Sequence, residues 1–226
     1  FIYDTSFTDN LMKIVIIDSV DDLNLNSANS FLKTLEEPNE NTFIFLISHQ
    51  LSSLLPTVRS RCLKVKFDSH NFSNFSNILS KLIKEIDSDE MKFLFELTTG
   101  SPGIAHHIYD DNILDIFDLT LKCLIFDEMN NDNIELTNIL SKFDKEKFKN
   151  YLFILKTILI LLNKIKMNSY DSNRYLSNNF NKIKLISSQI SIKNIINRLN
   201  FITNNEKDLF TFNLDKKIFM LRFLTS

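Results

Sequence analysis

The chain is nearly without glycine and proline, with two of the first and three of the second in 226 residues. All-β architectures need these residues at their many turns, so their scarcity favours a mostly helical chain. The same scarcity excludes a phosphate loop of the form G-x-x-x-x-G-K-[ST] within the sequence, because the only glycines are Gly100 and Gly103. Two cysteines, Cys62 and Cys123, are too few for a disulfide scaffold and fit a reducing, cytoplasmic setting. The most apolar stretch, residues 151–162, contains Lys156 and falls short of the roughly 20 apolar residues a membrane span needs, so it reads as a buried core helix. No charged segment followed by an apolar run marks a signal peptide at the start. With a net charge of −2 the chain lacks the basic field of a free-standing nucleic-acid binder, although a local basic patch stays open.

What is present divides by texture. Residues 1–67 mix short β-rich runs with a helix. Lys13 to Ile17 is a β-branched run ending in Asp18, as expected of a strand buried on both faces of a parallel sheet. Leu25, Ala28, Phe31, Leu32 and Leu35 then fall at helical spacing, with Asn24 or Asn26 as cap and Glu36-Glu37-Pro38 as the stop. A second strand is expected at 42–47, a helical turn at 51–55 and a third strand at 63–67. Strand, helix, strand, short helix, strand is the rhythm of an α/β unit.

From about residue 70 the period becomes helical and stays so. Helices are expected at 72–85 and 90–98. Both glycines follow in Thr99-Gly100-Ser101-Pro102-Gly103, with Pro102 in the first turn of a helix through 104–109. These make a small three-helix domain, 68–111. Residues 112–226 read as all-α, with helices at 113–129, 134–143, 145–167, 172–187, 188–202 and 206–224, and 130–133 as a polar joint. Phe93, Phe95, Phe148 and Phe153 sit at helical spacing and read as core, not as a platform for stacked bases. Lys182, Lys184, Lys193 and Arg198 read as a solvated face. The pair His106-His107 has no further ligand at metal spacing, so no metal site is expected.

Two places carry chemistry. An apolar strand ending in Asp18 is where nucleotide-binding α/β folds hold the carboxylate that orients Mg²⁺. The position after it, where a Glu would activate water, is Ser19, a poor base at neutral pH. The second place is Ser60-Arg61-Cys62, after Pro56. An always-charged planar guanidinium suits a phosphate presented by another subunit. From spacing alone Arg61 reads more readily as a surface arginine paired with a nearby carboxylate, and Arg59 in the same segment is its decoy. Cys62 reads as a small buried neighbour without a base beside it.

Four stretches in order and spacing then carry a resemblance. They are Lys13-Ile14-Val15-Ile16-Ile17-Asp18-Ser19, Asn29-Ser30-Phe31-Leu32-Lys33-Thr34-Leu35-Glu36-Glu37-Pro38, Phe43-Ile44-Phe45-Leu46-Ile47-Ser48-His49 and Leu55-Pro56-Thr57-Val58-Arg59-Ser60-Arg61-Cys62. Together they resemble the clamp-loader branch of the AAA+ family. The resemblance implies a trans-acting finger role for Arg61, supported by Ser60, Cys62 and Pro56, and a sensor-like position for Ser48. ATPase members of the branch have D-E-x-H where this chain has Asp18-Ser19-Val20-Asp21, a degenerate Walker B segment. Their lid helix begins with an Arg that Gly100-Ser101-Pro102-Gly103-Ile104 lacks. Both departures resemble the delta-prime type of subunit.

That resemblance implies a partial AAA+ parallel-sheet core at 1–67, a helical lid at 68–111 and an all-α collar at 112–226. It implies no intrinsic catalysis and no cofactor of the chain's own, ATP and Mg being bound by a neighbouring subunit. The implied partners are gamma/tau-type ATPase subunits and the delta subunit in a hetero-pentamer. The sliding clamp and primer-template DNA would be met through that complex. The chain does not start with Met and its first element enters mid-fold, so a beginning is expected to be missing. Two alternatives stay open: an active ATPase subunit whose phosphate loop lies upstream, and a helical module that serves assembly alone.

Overall fold

The computed structural model describes residues 12–39, 41–49, 51–52, 54–125, 129–169 and 177–226. The chain divides into two compact units, 1–67 and 68–226.

In the first unit, strand β1 (Lys13–Ile17) pairs in parallel with β2 (Thr42–Leu46), Ile14 opposite Phe43 and Ile16 opposite Phe45. Helix α1 (Leu25–Glu36) connects them. Asn24, one of the two caps expected, accepts from the Ser27 N–H at 2.8 Å and satisfies a donor the first turn leaves orphaned. Ala28, Phe31 and Thr34 form the buried stripe of α1. A 3-10 turn, Val20–Asp22, follows β1, and helix α2 (Pro56–Ser60) closes the unit with Pro56 in its first turn. Proline is tolerated there because its missing N–H has no intrahelical partner to lose.

The structure corrects three expectations in this unit. Residues 63–67 form no strand, and Leu63, Val65 and Phe67 are 92%, 69% and 92% exposed. Alternating apolar side chains favour an extended segment, but a strand exists only where an edge accepts its hydrogen bonds, and neither described strand pairs with it. Nor are β1 and β2 buried on both faces. Ile14, Ile16, Phe43 and Phe45 stand on an exposed face, while Val15, Ile17, Ile44 and Leu46 are half-buried. Apolar composition signals a capacity for burial, and a second covering layer must realise it. Residues 51–52 form a turn, residue 53 of the helical turn expected at 51–55 lies outside the described residues, and helix forms over Pro56–Ser60.

The second unit is helical throughout its described residues. Its helices are α3 (Phe72–Leu82), α4 (Ser88–Leu97), α5 (Pro102–Asp110), α6 (Phe117–Ile125), α7 (Asn131–Ser141), α8 (Lys145–Lys166), α9 (Asn178–Gln189), α10 (Ile192–Thr211) and α11 (Lys216–Leu224). Side-chain caps at Asn71, Asp87, Asn130, Asp144, Ser177, Ser191 and Asp215 start seven of them. The centre is α8, whose Leu152, Leu155, Leu159 and Leu162 are fully buried and which packs on α9 and α10. One core runs from Phe75 on α3 to Leu224 on α11. Phe93 and Phe148 lie within it and Phe95 and Phe153 pack against it, as their spacing predicts.

Boundaries differ where polar residues mislead. The break expected between 202 and 206 is absent, and α10 runs on to Thr211. Thr203 and Asn205 turn their side chains onto the carbonyls of Leu199 and Phe201, while Ile202 and Leu209 stay buried seven residues apart. The chain breaks instead at Asn213, which takes left-handed geometry at φ 50°. Likewise Asn112 (φ 52°) splits the start of the helix expected at 113–129 into a 3-10 turn, Ile113–Ile116, and α6. Residues 126–128 of that expectation, and 172–176 of the helix expected at 172–187, lie outside the described residues. The polar stretch 130–133 is the capped start of α7, with Asn133 fully buried.

Candidate functional site

The carboxyl ends of β1 and β2 are tied at one corner of the first unit. Asp18 is exposed at the end of β1, and Ser19 turns the chain sharply in left-handed geometry (φ 58°). The Val20 N–H donates to the Ile47 carbonyl at 2.9 Å. Asp21 then accepts from Ser48 Oγ at 2.7 Å and from the His49 N–H at 2.6 Å. Charge-assisted bonds of this kind are strong, and they make Asp21 the organiser of the corner. The sequence displays Asp21 inside the degenerate Walker B segment, but its partners lie 27 and 28 residues away and spacing alone does not show them.

Beside this corner lies a cavity of about 230 Å³ among Val20, Leu23, Ala28, Phe31, Leu55 and Val58, with Asp21 at its wall. Its lining is apolar and suits a hydrophobic side chain, not a triphosphate. Asp18 at the end of β1 and Asp22 in the turn after it are exposed carboxylates of this corner.

Arg61 follows the last residue of α2. Val58 is 4% exposed and anchors the helix, and the Arg61 N–H donates to the Val58 carbonyl at 3.2 Å. The guanidinium Nη1 donates to the Thr57 carbonyl at 2.9 Å, and Nη2 forms an ion pair with Glu36, the last residue of α1. Ser60 Oγ donates to the same Thr57 carbonyl at 3.1 Å. The paired side chains are 34% and 49% exposed, so the charge is held at the surface. Cys62 is half-buried, and burial pushes its thiol up from the usual range, which keeps it protonated and a poor nucleophile. In the sequence Glu36 belongs to a helix stop and to one of the four motif stretches, neither of which points to Arg61. Its contact with Arg61 spans 25 residues and depends on how α1 and α2 meet.

The glycine segment lies in the second unit. Gly100 is left-handed at φ +80°, and its N–H bonds the Phe95 carbonyl at 3.0 Å, ending α4. A Cβ there would meet the His70 carbonyl oxygen at 2.5 Å, so the position requires glycine. Ser101 and Pro102 begin α5, and Gly103 lies inside it with open space beside it. His106 Nδ1 sits 3.1 Å from Asp110 Oδ2, one turn along α5. Among the described residues no group of His, Cys, Asp or Glu is placed to hold a metal ion, and no helix is long and apolar enough to cross a membrane.

The expectation for Arg198 is corrected. It is fully buried, donating Nη1 to the Leu124 carbonyl at 2.5 Å and Nη2 to the Leu224 carbonyl at 3.1 Å. A polar residue in an amphipathic helix is read as solvated by default, but here the cation is drawn inward by the carbonyl ends of α6 and α11. Lys184 and Lys193 do face solvent, and Lys182 pairs with Asp118 at 2.7 Å.

Comparison with known proteins fits the first unit best. Residues 1–71 match the family model described as DNA polymerase III, delta subunit. A DNA polymerase III subunit delta′ of Pseudomonas aeruginosa is 33% identical over 101 residues, covering 45% of this chain and 31% of that protein. The delta′ subunit of Buchnera aphidicola is 28% identical over 206 residues, covering 76% of this chain and 60% of the relative. The gamma subunit of the same organism is 27% identical over 209 residues, 87% of this chain and 53% of the relative. A gamma subunit-related protein of Thermotoga maritima has 20% identity and a TM-score of 0.38, covering 94% of this chain and 71% of its own; at that score it adds no argument. The chain spans between 31% and 60% of the length of the three curated relatives.

These relatives are delta′ and gamma subunits of DNA polymerase III, and the family match lies at residues 1–71. Among them the resemblance to delta-prime subunits, drawn from the motifs of residues 13–62, is borne out.

Proposed function

We propose that the chain serves as a delta-prime-type subunit of a clamp loader, hydrolysing no ATP itself and presenting Arg61 to nucleotide bound by a neighbouring gamma/tau-type subunit. The observation that carries this reading is the pairing of a surface-held guanidinium at the end of α2 with a strand end that has Ser19 where an ATPase needs a carboxylate. Charge developing on the transferred phosphoryl group would meet the guanidinium fork, whose planar donors match phosphate oxygens. Residues 68–111 would act as the lid and 112–226 as the collar that joins the delta and ATPase subunits in a ring. The sliding clamp and primer-template DNA would then be engaged through the assembled complex.

The test is hydrolysis by a reconstituted loader containing this chain or its Arg61→Ala variant. Arginine fingers supply roughly 10³- to 10⁵-fold in rate at their own site, so the variant should silence the site it faces while the complex still assembles. Undiminished DNA-stimulated hydrolysis at that site would end the finger reading.

A second reading is favoured by the gamma-subunit likeness, which covers 87% of the chain. In it the chain is an ATPase whose phosphate loop precedes residue 1. Ser19 opposes it, and ATP turnover by the full-length protein alone would establish it. The third possibility, an assembly module, would show as a loader that needs this chain to assemble but whose hydrolysis is unchanged by Arg61→Ala.

A further inference from the structure

Arg61 is not free to meet a ligand as it stands. Its Nη2 is taken by the Glu36 carboxylate and its Nη1 by the Thr57 carbonyl. A carboxylate and a phosphate offer the guanidinium fork the same kind of paired oxygen acceptors, so one can replace the other on the same donors. Glu36 also stands where a carboxylate is poorly placed for helix stability. It is the last residue of α1, at the negative end of the helix dipole, and Glu37 follows it. Its charge is therefore better explained by its partner than by its helix.

We propose that Glu36 is a positioning residue that parks Arg61 on the surface of the first unit, and that a nucleotide phosphate of the neighbouring subunit displaces it. The proposal rests on the finger reading of Arg61 and adds the step before the finger engages. The Thr57 contact comes from one turn back on the same helix, so it can persist and keep the guanidinium plane fixed while Glu36 is exchanged for phosphate. The pair is open to water on both sides, at 34% and 49% exposure, which keeps it weak enough to release. Exposed pairs of this kind shift an equilibrium by roughly two- to five-fold, so parking retards engagement without preventing it. A buried pair would lock the finger, whereas an exposed one yields to phosphate.

The experiment is a double-mutant cycle on the reconstituted complex with DNA, read as single-turnover ATP hydrolysis across ATP concentrations. Glu36→Gln removes the charge from an exposed site and should leave folding intact. It should raise the maximal rate about two- to five-fold, with the ATP concentration at half-saturation unchanged. On the Arg61→Ala background the same substitution should change nothing, because Glu36 acts only through Arg61. An unchanged or lowered rate in Glu36→Gln would overturn the parking role, as would an equal effect in the presence and absence of Arg61. Full activity of Arg61→Ala alone is a different failure, since it removes the finger itself.

Discussion

Replacing Arg198 should unfold the helical unit more readily than any surface substitution, and its magnitude follows from two carbonyls. Leu124 lies near the end of the described part of α6, and Leu224 is the last residue of α11. Arg198 on α10 serves both, at 2.5 and 3.1 Å, and its guanidinium sits 6.0 Å from the Phe223 ring. In Arg198→Ala each buried carbonyl loses its partner at about 1–3 kcal/mol, and the emptied volume adds a cavity term. A total of about 3–5 kcal/mol is expected, lessened by release of the desolvation penalty of a buried cation. Arg198→Met fills most of the volume, leaves the carbonyls unserved and should cost about 1–3 kcal/mol. Urea unfolding followed by far-ultraviolet circular dichroism measures both, with the slope on denaturant checked for constancy. A loss below about 1 kcal/mol for Arg198→Ala would refute the argument that α10 holds these helix ends together through one cation. Equality of Arg198→Met with the parent would show that volume alone mattered.

Two further outcomes can be checked on the same unit. Gly100→Ala should destabilise by about 1–3 kcal/mol, from a left-handed backbone and a 2.5 Å approach to the His70 carbonyl, whereas Gly103→Ala, with open space beside it, should gain about 0.5–1 kcal/mol. Equal effects at the two glycines, measured by thermal unfolding, would contradict the assignment of Gly100 alone to a constrained turn. The Glu90 carboxyl is pushed up chiefly by burial and further by Asp87 and Asp115. Its folded state therefore holds the proton more tightly than its unfolded state, so its contribution is fully present below the ordinary carboxyl value and is lost as pH rises through the raised one. Glu90→Gln should accordingly gain on the parent between pH 4 and pH 7, by up to ~0.5 kcal/mol at this partly exposed site. A gap that closes over that range would reverse the sign.

Much of this was open to reading because the relevant physics is local. The run Lys13–Ile17 could only be a strand or a buried helix piece, and its β-branched content with Asp18 after it decided the matter. Asn24 and Pro56 fixed helix starts through chemistry within one turn. What escaped depends on contacts between distant residues. Nothing near Arg198 in sequence announces that two helix ends will converge on it, and the residues that accept its bonds lie 74 and 26 positions away. Residues 63–67 have the composition of a strand but not the edge that would make them one. The polar residues 203–205 look like a linker until Ile202 and Leu209 are seen to hold the helix through them.

The candidate site shows the same division, and it bears on function. Arg61 stands out in its motif, whereas the contacts of Glu36 and Asp21, carboxylates within two other motif segments, emerge only from the fold. They do different work. Asp21 holds the ends of β1 and β2 through two short bonds, one of them to a backbone N–H, an arrangement that stiffens the corner. Glu36 meets Arg61 in an exposed pair at the surface, an arrangement that yields to a stronger anion. A unit that must offer one charge to a partner needs both properties: a rigid corner sets where α2 and its arginine stand, and a weak local partner keeps the guanidinium ordered until a phosphate takes it. A stiff contact at Arg61, or a loose one at Asp21, would serve neither end.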